Sequence, residues 1–457
     1  VRSRWRCVLA ALLVAVASAR AADDGARPAP GVPGMEAHRI EEPVFNGHMV
    51  VYEAGRGNAR SILLVHGVSP EGARDYRDLV PWLQKSFHVI AVDLPGFGQS
   101  DKANVLYSPA NYAGVLKVVA DRFLVAPFTL VGHSMGGVVS LRYAATYPQD
   151  VERLVVIDTP GVLYRYAYAS GYLAYLGLDF VPGEPLDRLT SIARKILTPL
   201  ERMNFDPQVI LDSQQLRQDL LDGNPAKIAG LAAVTDDLHL DLPKVRAETL
   251  IVWGAQDTLA PLRTGRVLAN KLPRAQLVVI DGAEHSPMIE TPARFRAELG
   301  PFLERGLPPA PATVAAPTPQ HGEAICRRRR ELVFEGDYDK LTLERCQEIR
   351  IRNAHIRELI VNGSSVTIDD SRIGGGETGL YARGSTIVMT GGSIEGDVAI
   401  AALGSRLDLA AVEVEGREAA MTAPKRSYVV FSLSRVRSPH TQGELHDFYT
   451  VTAKDPL

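Results

Sequence analysis

The stretch GLPPAPATVAAPTPQHGEA, Gly306 to Ala324, separates two hydrophobic rhythms that no single layer architecture accommodates. Rich in proline and alanine, it reads as a semi-rigid linker and a domain boundary. Before it, from Glu36 to Arg305, short apolar runs alternate with helical stretches. After it, from 325 to 457, one β pattern returns about every 20 residues. A chain of 457 residues has room for two such domains.

In the first part the apolar runs are Ile62–Val65, Val89–Val92, Phe128–Val131, Leu154–Ile157, Leu250–Trp253 and Leu277–Ile280. Short buried-type strands separated by helices imply a largely parallel sheet covered on both faces, an α/β fold. Ahead of them, His38 to Tyr52 carries Asn46-Gly47 between alternating segments, a hairpin signal. Between Gly161 and Pro243 the strand rhythm stops, and LDRLTSIARKIL and SQQLRQDLLD show helical periodicity. This span reads as a helical cap inserted between two strands.

Beyond the linker, apolar residues recur at positions 0, +2 and +7. The triplets are Ile349/Ile351/Ile356, Val366/Ile368/Ile373, Ile387/Met389/Ile394, Leu407/Leu409/Val414 and Val429/Phe431/Val436. Such a period, with Gly, Ser and Asn at the corners, is the signature of an all-β parallel β-helix, a solenoid whose coils share one core. An ordinary β-sandwich with evenly spaced strands is the alternative.

Arg2, Arg4 and Arg6 precede the apolar run Val8–Ala17 and the small residues Ser18-Ala19-Arg20-Ala21. This reads as a secretory signal peptide over 1–21, with a buried N-terminal helix as the alternative. The expectation is a periplasmic or secreted protein with no transmembrane segment in its mature chain. Cys326 and Cys346 then form either a disulfide or two free thiols. Their spacing, close to one repeat, lets a disulfide join neighbouring coils. The net charge of −3 calls for neither nucleic acid nor an anionic membrane surface.

The chemistry centres on FTLVGHSMGG. Ser134 follows a strand and opens a helix, between the small residues Gly132 and Gly136 that a sharp turn requires. A serine hydroxyl needs a base, and the base an orienting acid. LIVWGAQD supplies Asp257 and LVVIDGAEHSP supplies His285, each after a strand, in the chain order expected of such a site. The backbone N–H groups of Met135 and of Val68, in LLVHGVSPEG, are the candidate oxyanion donors. His66 and His133 read as positioning residues. Asp93 fixes the turn after it, and Asp158 is a rival acid whose plainer role is to end a strand.

Taken in order, HGVSPEG, VDLPGFGQSD, GHSMGG, WGAQD and DGAEHSPMIETP resemble the α/β-hydrolase superfamily over residues 36 to 305. The resemblance implies Ser134 as nucleophile, Asp257 as acid, His285 as base, and an oxyanion hole from Val68 and Met135. Haloalkane dehalogenases and epoxide hydrolases carry aspartate at the nucleophile position, and Ser134 argues against both. The chain is similar to capped carboxylesterases and to serine C–C bond hydrolases. It is expected to hydrolyse an ester of a small acyl substrate, with thioester, amide and C–C bonds as alternatives, and to need no metal or cofactor.

In the cap, Tyr164, Tyr168 and Tyr172 either line an acyl pocket or pack cap against core. Arg327 to Arg330 read as a solvated cover over an open coil end, with a polyanion or membrane contact as the alternative. Asp369-Asp370 read as turn residues rather than a polysaccharide-cleaving pair. A polysaccharide or protein partner for the second domain is an open expectation. One further reading makes the chain a surface-binding protein acting through that domain.

Overall fold

The computed structural model describes residues 31–164, 207–308 and 321–457. These fall into two compact units, the first ending at Pro308 and the second holding 321–457. The expected signal peptide and most of the linker lie outside the described residues, as do Tyr168 and Tyr172.

The first unit is built on eight strands: β1 Glu36–Glu42, β2 Gly47–Ala54, β3 Ser61–Val65, β4 His88–Asp93, β5 Phe128–His133, β6 Val151–Ile157, β7 Glu248–Gly254 and β8 Ala275–Ile280. All six expected apolar runs lie inside these strands. The helices are α1 Val80–Leu83, α2 Pro109–Phe123, α3 Met135–Thr146, α4 Gln208–Asp212, α5 Gln214–Leu221, α6 Pro225–Thr235, α7 Leu262–Lys271, α8 Pro287–Glu290 and α9 Pro292–Arg305.

The sheet order is β1-β2-β4-β3-β5-β6-β7-β8. Strands β1, β2 and β4 pair antiparallel, and β4 through β8 run parallel. Every residue of β3 is buried, as a parallel strand between two helical layers must be. The hairpin closes at Glu42 opposite Gly47, with Asn46 at φ 56. The Glu42 carboxylate accepts the N–H groups of Phe45 and Gly47 across that turn.

Of the expected cap, residues 161–164 and 207–243 are described, and among these described residues its helices are α4, α5 and α6. Two arginines tie it to the core. Arg142, on α3, pairs with Asp236 and Asp241 just after α6. Arg217, on α5, donates to the Asn104 side chain at 3.0 Å.

The second unit is all-β: β9 His321–Arg327, β10 Val333–Glu344, β11 Ile349–Asn362, β12 Ser365–Ile373, β13 Thr378–Arg383, β14 Thr386–Leu403, β15 Arg406–Ala410, β16 Glu413–Lys425, β17 Ser427–Ser432, β18 Ser434–Arg437, β19 Gln442–Leu445 and β20 Phe448–Val451. Strand β9 begins inside the stretch read as linker. Its first residues are held by pairing with β10, Tyr338 opposite His321, which a local polar sequence does not reveal.

Most pairings here are parallel, and they align the repeated triplets. Ile349, Val366, Ile387, Leu407 and Val429 stand level, and so do Ile351, Ile368, Met389, Leu409 and Phe431. The third row is Ile356, Ile373, Ile394, Val414 and Val436. All fifteen side chains are buried. A row of buried serines runs beside them: the N–H of Ser364, Ser385 and Ser405 donates to the next hydroxyl, each at 3.2 Å. This row satisfies polar groups that the core would otherwise strand.

Cys346 continues the row, its N–H donating to Ser364 Oγ, and is joined by a disulfide to Cys326 with Cα atoms 6.6 Å apart. In the antiparallel sense, β19 pairs with β18 and β20 with β17. Arg327 and Arg330 pair with Glu344 and Glu348. Asp369 stands level with Arg352 and Thr390, so no second carboxylate faces it from a neighbouring strand. No described helix of the chain is long and apolar enough to cross a membrane.

Candidate active site

Because β5, β6, β7 and β8 are adjacent and parallel, the loops leaving them meet at one edge of the sheet. Ser134 leaves β5, Asp158 leaves β6, Asp257 leaves β7 and His285 leaves β8. Ser134 itself sits at φ 52, ψ −122, a conformation L-residues rarely adopt, pinned by its N–H donating to Ile157 O at 2.8 Å.

Close packing around that turn excludes larger residues. A Cβ on Gly132 would lie 2.2 Å from Gly136 O, and one on Gly136 would lie 2.3 Å from Val65 O. The end of β3 therefore rests directly on the N-terminus of α3, which brings Gly67 against the Ser134 side chain. Among the described residues neither the Val68 nor the Met135 N–H has a hydrogen-bond acceptor. Met135 opens α3, at the positive end of its dipole, and Val68 follows the Gly67 that lies against Ser134.

His285 Nε2 is 2.9 Å from Ser134 Oγ, and its Nδ1 is 2.8 Å from Asp257 Oδ2. The other Asp257 oxygen accepts the N–H groups of Leu259 at 2.8 Å and Ala260 at 3.0 Å. Burial alone would push the Asp257 carboxyl up. The hydrogen bond and charge of His285, with the Ala260 N–H, outweigh burial and hold it below the usual carboxylate range. His285 is thus oriented by an ionised carboxylate. The loop carrying His285 is fixed by Glu290, whose carboxylate accepts the N–H of Glu284 at 2.6 Å and of Ser286 at 3.1 Å.

His133 Nε2 donates to the His285 carbonyl at 2.7 Å. Burial, together with the nearby His285, pulls the His133 imidazole down to about 3, so it is a neutral strut. His66 plays a similar part: its Nδ1 bonds Gly67 O at 2.6 Å and its Nε2 accepts the Leu94 N–H at 3.0 Å. Asp93 accepts the N–H groups of Ala73 and Gln99 and the Tyr52 hydroxyl, tying the turn after β4 to the loop after β3.

Tyr164 is half-buried at the start of the cap. Glu290 was not legible as a site residue, because its partners are backbone groups on the preceding loop. Among the described residues, Glu36, His38 and Glu53 lie close enough together to hold a metal ion. They lie at the edge of β1 and β2, and Arg56 and His88 already bond Glu53. His88 opens β4, so this group sits toward the opposite end of the sheet strands from Ser134.

A parallel sheet that gathers a serine, a histidine and an aspartate at its carboxyl edge defines a class of hydrolytic α/β proteins. Residues 60–292 match the family described as alpha/beta hydrolase fold, and the chain belongs to that family. An uncharacterized protein of Mycobacterium tuberculosis is 30% identical over 258 residues, 52% of this chain and 74% of that one. The 2-hydroxy-6-oxononadienedioate/2-hydroxy-6-oxononatrienedioate hydrolase 1 of Pseudomonas putida is 29% identical over 274 residues, 58% of this chain and 95% of the relative. A monoacylglycerol lipase of Xenopus laevis is 29% identical over 261 residues, 54% and 76% of the two chains. Family and relatives together indicate a hydrolase. The family match ends before the second unit.

Proposed function

We propose that the chain is an exported serine hydrolase that cleaves the carboxylic ester of a small acyl substrate through an acyl-enzyme on Ser134. The observation that carries this reading is the line from Ser134 Oγ through His285 to Asp257, at 2.9 and 2.8 Å. As Oγ attacks the acyl carbon, His285 Nε2 takes its proton. Asp257 keeps Nδ1 protonated and stabilises the imidazolium. The oxyanion forms between the N–H groups of Val68 and Met135, where removal of one donor typically costs about 100- to 1000-fold in kcat. His285 then gives its proton to the leaving alkoxide, and a water activated by the same imidazole releases the acid and regenerates Ser134.

The same groups act on thioesters, amides and the C–C bond of a vinylogous diketone. The Pseudomonas relative, whose name places it among hydrolases of oxononadienedioates, favours the C–C bond as the second reading. Hydrolysis of nitrophenyl esters of graded acyl length, by the full chain and by Ser134→Ala, decides between them. Ester turnover that disappears in the variant supports the proposal. A folded protein inert toward every ester moves the reading to C–C substrates. If those also fail, the chain becomes a binding protein acting through its second unit.

We read that second unit as a parallel β-helix, supported by the three level apolar rows and the serine row. The disulfide links β9 to the turn after β10 and stabilises the first repeats. Recognition of a polysaccharide or protein partner is its proposed role. Export is supported by the basic start with its apolar run and by that disulfide, since such bonds persist in oxidising compartments.

A further inference from the structure

Asp158 lies beside the site but takes no part in the proton relay. It leaves β6 at φ 45, with its N–H donating to Val252 O at 3.1 Å and its Oδ1 accepting the Gly254 N–H at 2.9 Å. These two bonds hold Asp158 against the end of β7, and the loop leaving that strand bears Asp257. Asp158 is 0% exposed, and the Asp257 side chain is likewise 0% exposed. Among the described residues Asp158 Oδ2 is buried without a hydrogen-bond donor, and the neighbouring Asp257 carboxyl acts on it through charge and hydrogen bonding.

Two acceptors facing each other in a dry site are unfavourable unless one carries a proton. The groups around the pair settle which one. Asp257 faces His285 from the loop after β8 and two N–H groups of its own loop, all of which favour its charge. Asp158 faces Asp257 and, from α8, Glu290, which both disfavour its charge, and among the described residues the Gly254 N–H is the donor in its favour. The buried His133 at the end of β5 is neutral and adds no charge.

We propose that Asp158 is a positioning residue that carries a proton on Oδ2 and donates it as a hydrogen bond to the Asp257 carboxylate. Asp257 then accepts from His285, Leu259, Ala260 and Asp158, which fills a carboxylate's four lone-pair sites and leaves it one orientation. Burial first, and the Asp257 charge second, raise the Asp158 carboxyl to about 10, in keeping with this arrangement. The inference rests on the serine-hydrolase reading for its kinetic arm alone.

The test compares the full chain with Asp158→Asn and Asp158→Ala. Infrared difference spectra at neutral pH are expected to lose a protonated-carboxyl C=O band in Asp158→Asn. Urea unfolding supplies a second readout. A carboxyl that stays protonated in the folded state but ionises in the unfolded state loses stability as pH rises from about 4 toward 10. Asp158→Asn is free of that loss, so its unfolding constant should improve on the parent's by up to about tenfold per pH unit across this window.

In the kinetic arm, Asp158→Ala should lower kcat about tenfold at unchanged KM, the loss of one hydrogen bond to a charged group. Its acid limb should move to higher pH, because an Asp257 lacking that donor holds the imidazolium more tightly. Asp158→Asn, whose amide N–H makes the same donation, should restore most of the loss. An unchanged infrared spectrum, or a stability difference that is flat with pH, overturns the proposal. So does an Asn variant no better than Ala. The infrared and urea arms stand even if Ser134→Ala retains activity, which separates failure here from failure of the serine mechanism.

Discussion

Replacing His133 by glutamine tests whether the neutral strut beneath His285 is correctly assigned. The unfolded chain protonates this histidine near pH 6.5, while the folded chain holds it neutral down to about 3. Between those values the unfolded state binds one more proton, so stability rises with pH. The contribution is complete above pH 6.5 and is lost as pH falls toward 3. Two pH units at about 1.4 kcal/mol each make the loss roughly 3 kcal/mol between pH 7 and pH 4.5.

Glutamine can keep the 2.7 Å donation to the His285 carbonyl but does not titrate. Other carboxyls and histidines contribute equally in both proteins and cancel in the difference. The assay is urea unfolding followed by tryptophan fluorescence at the two pH values. Trp82 and Trp253 lie in the first unit and residues 321–457 hold no tryptophan, so their signal reports the first unit. His133→Gln is expected to lose roughly 3 kcal/mol less than the parent on acidification. Parallel losses would refute a histidine held neutral by burial.

Two other outcomes follow from packing and covalent geometry. Gly132→Ala forces a methyl to within 2.2 Å of Gly136 O and 2.4 Å of Ser140 Oγ. It should destabilise the first unit by about 1–3 kcal/mol or more, read as a fall in its thermal midpoint, and should lower kcat by displacing Ser134. Replacing Cys326 by Ala and Cys346 by Ser opens a closed loop with a sequence separation of 20. This should cost the second unit about 3 kcal/mol, measured by circular dichroism in urea, with little effect on the first.

The particular residues show how far local pattern reaches. The six apolar runs, the Gly-Ser-Gly turn, and the acid and base after later strands were legible because each depends on a few neighbouring positions. The same holds for the apolar triplets, whose alternation states which side chains face inward and whose spacing states which positions stand level. The family resemblance over residues 36–305 rests on such local segments, and the match over 60–292 falls within it.

Strand order is a different matter, because no local segment encodes it. Asp158 read as a strand-end residue, and only the adjacency of β6 to β7 across the long cap insertion brings its carboxyl to Asp257. His133 read as a positioning residue, but that it holds His285 was not legible, since the carbonyl it bonds lies far along the chain. Glu290 was not legible because its partners are backbone groups of the preceding loop. The serine row depends likewise on donors about one repeat away in sequence. Residue types and their local periods determined which elements form and which side chains are candidates for the proposed chemistry. The tertiary structure alone decided which buried polar atoms meet, and therefore which acid is charged, because burial and pairing are properties of neighbours distant in the chain.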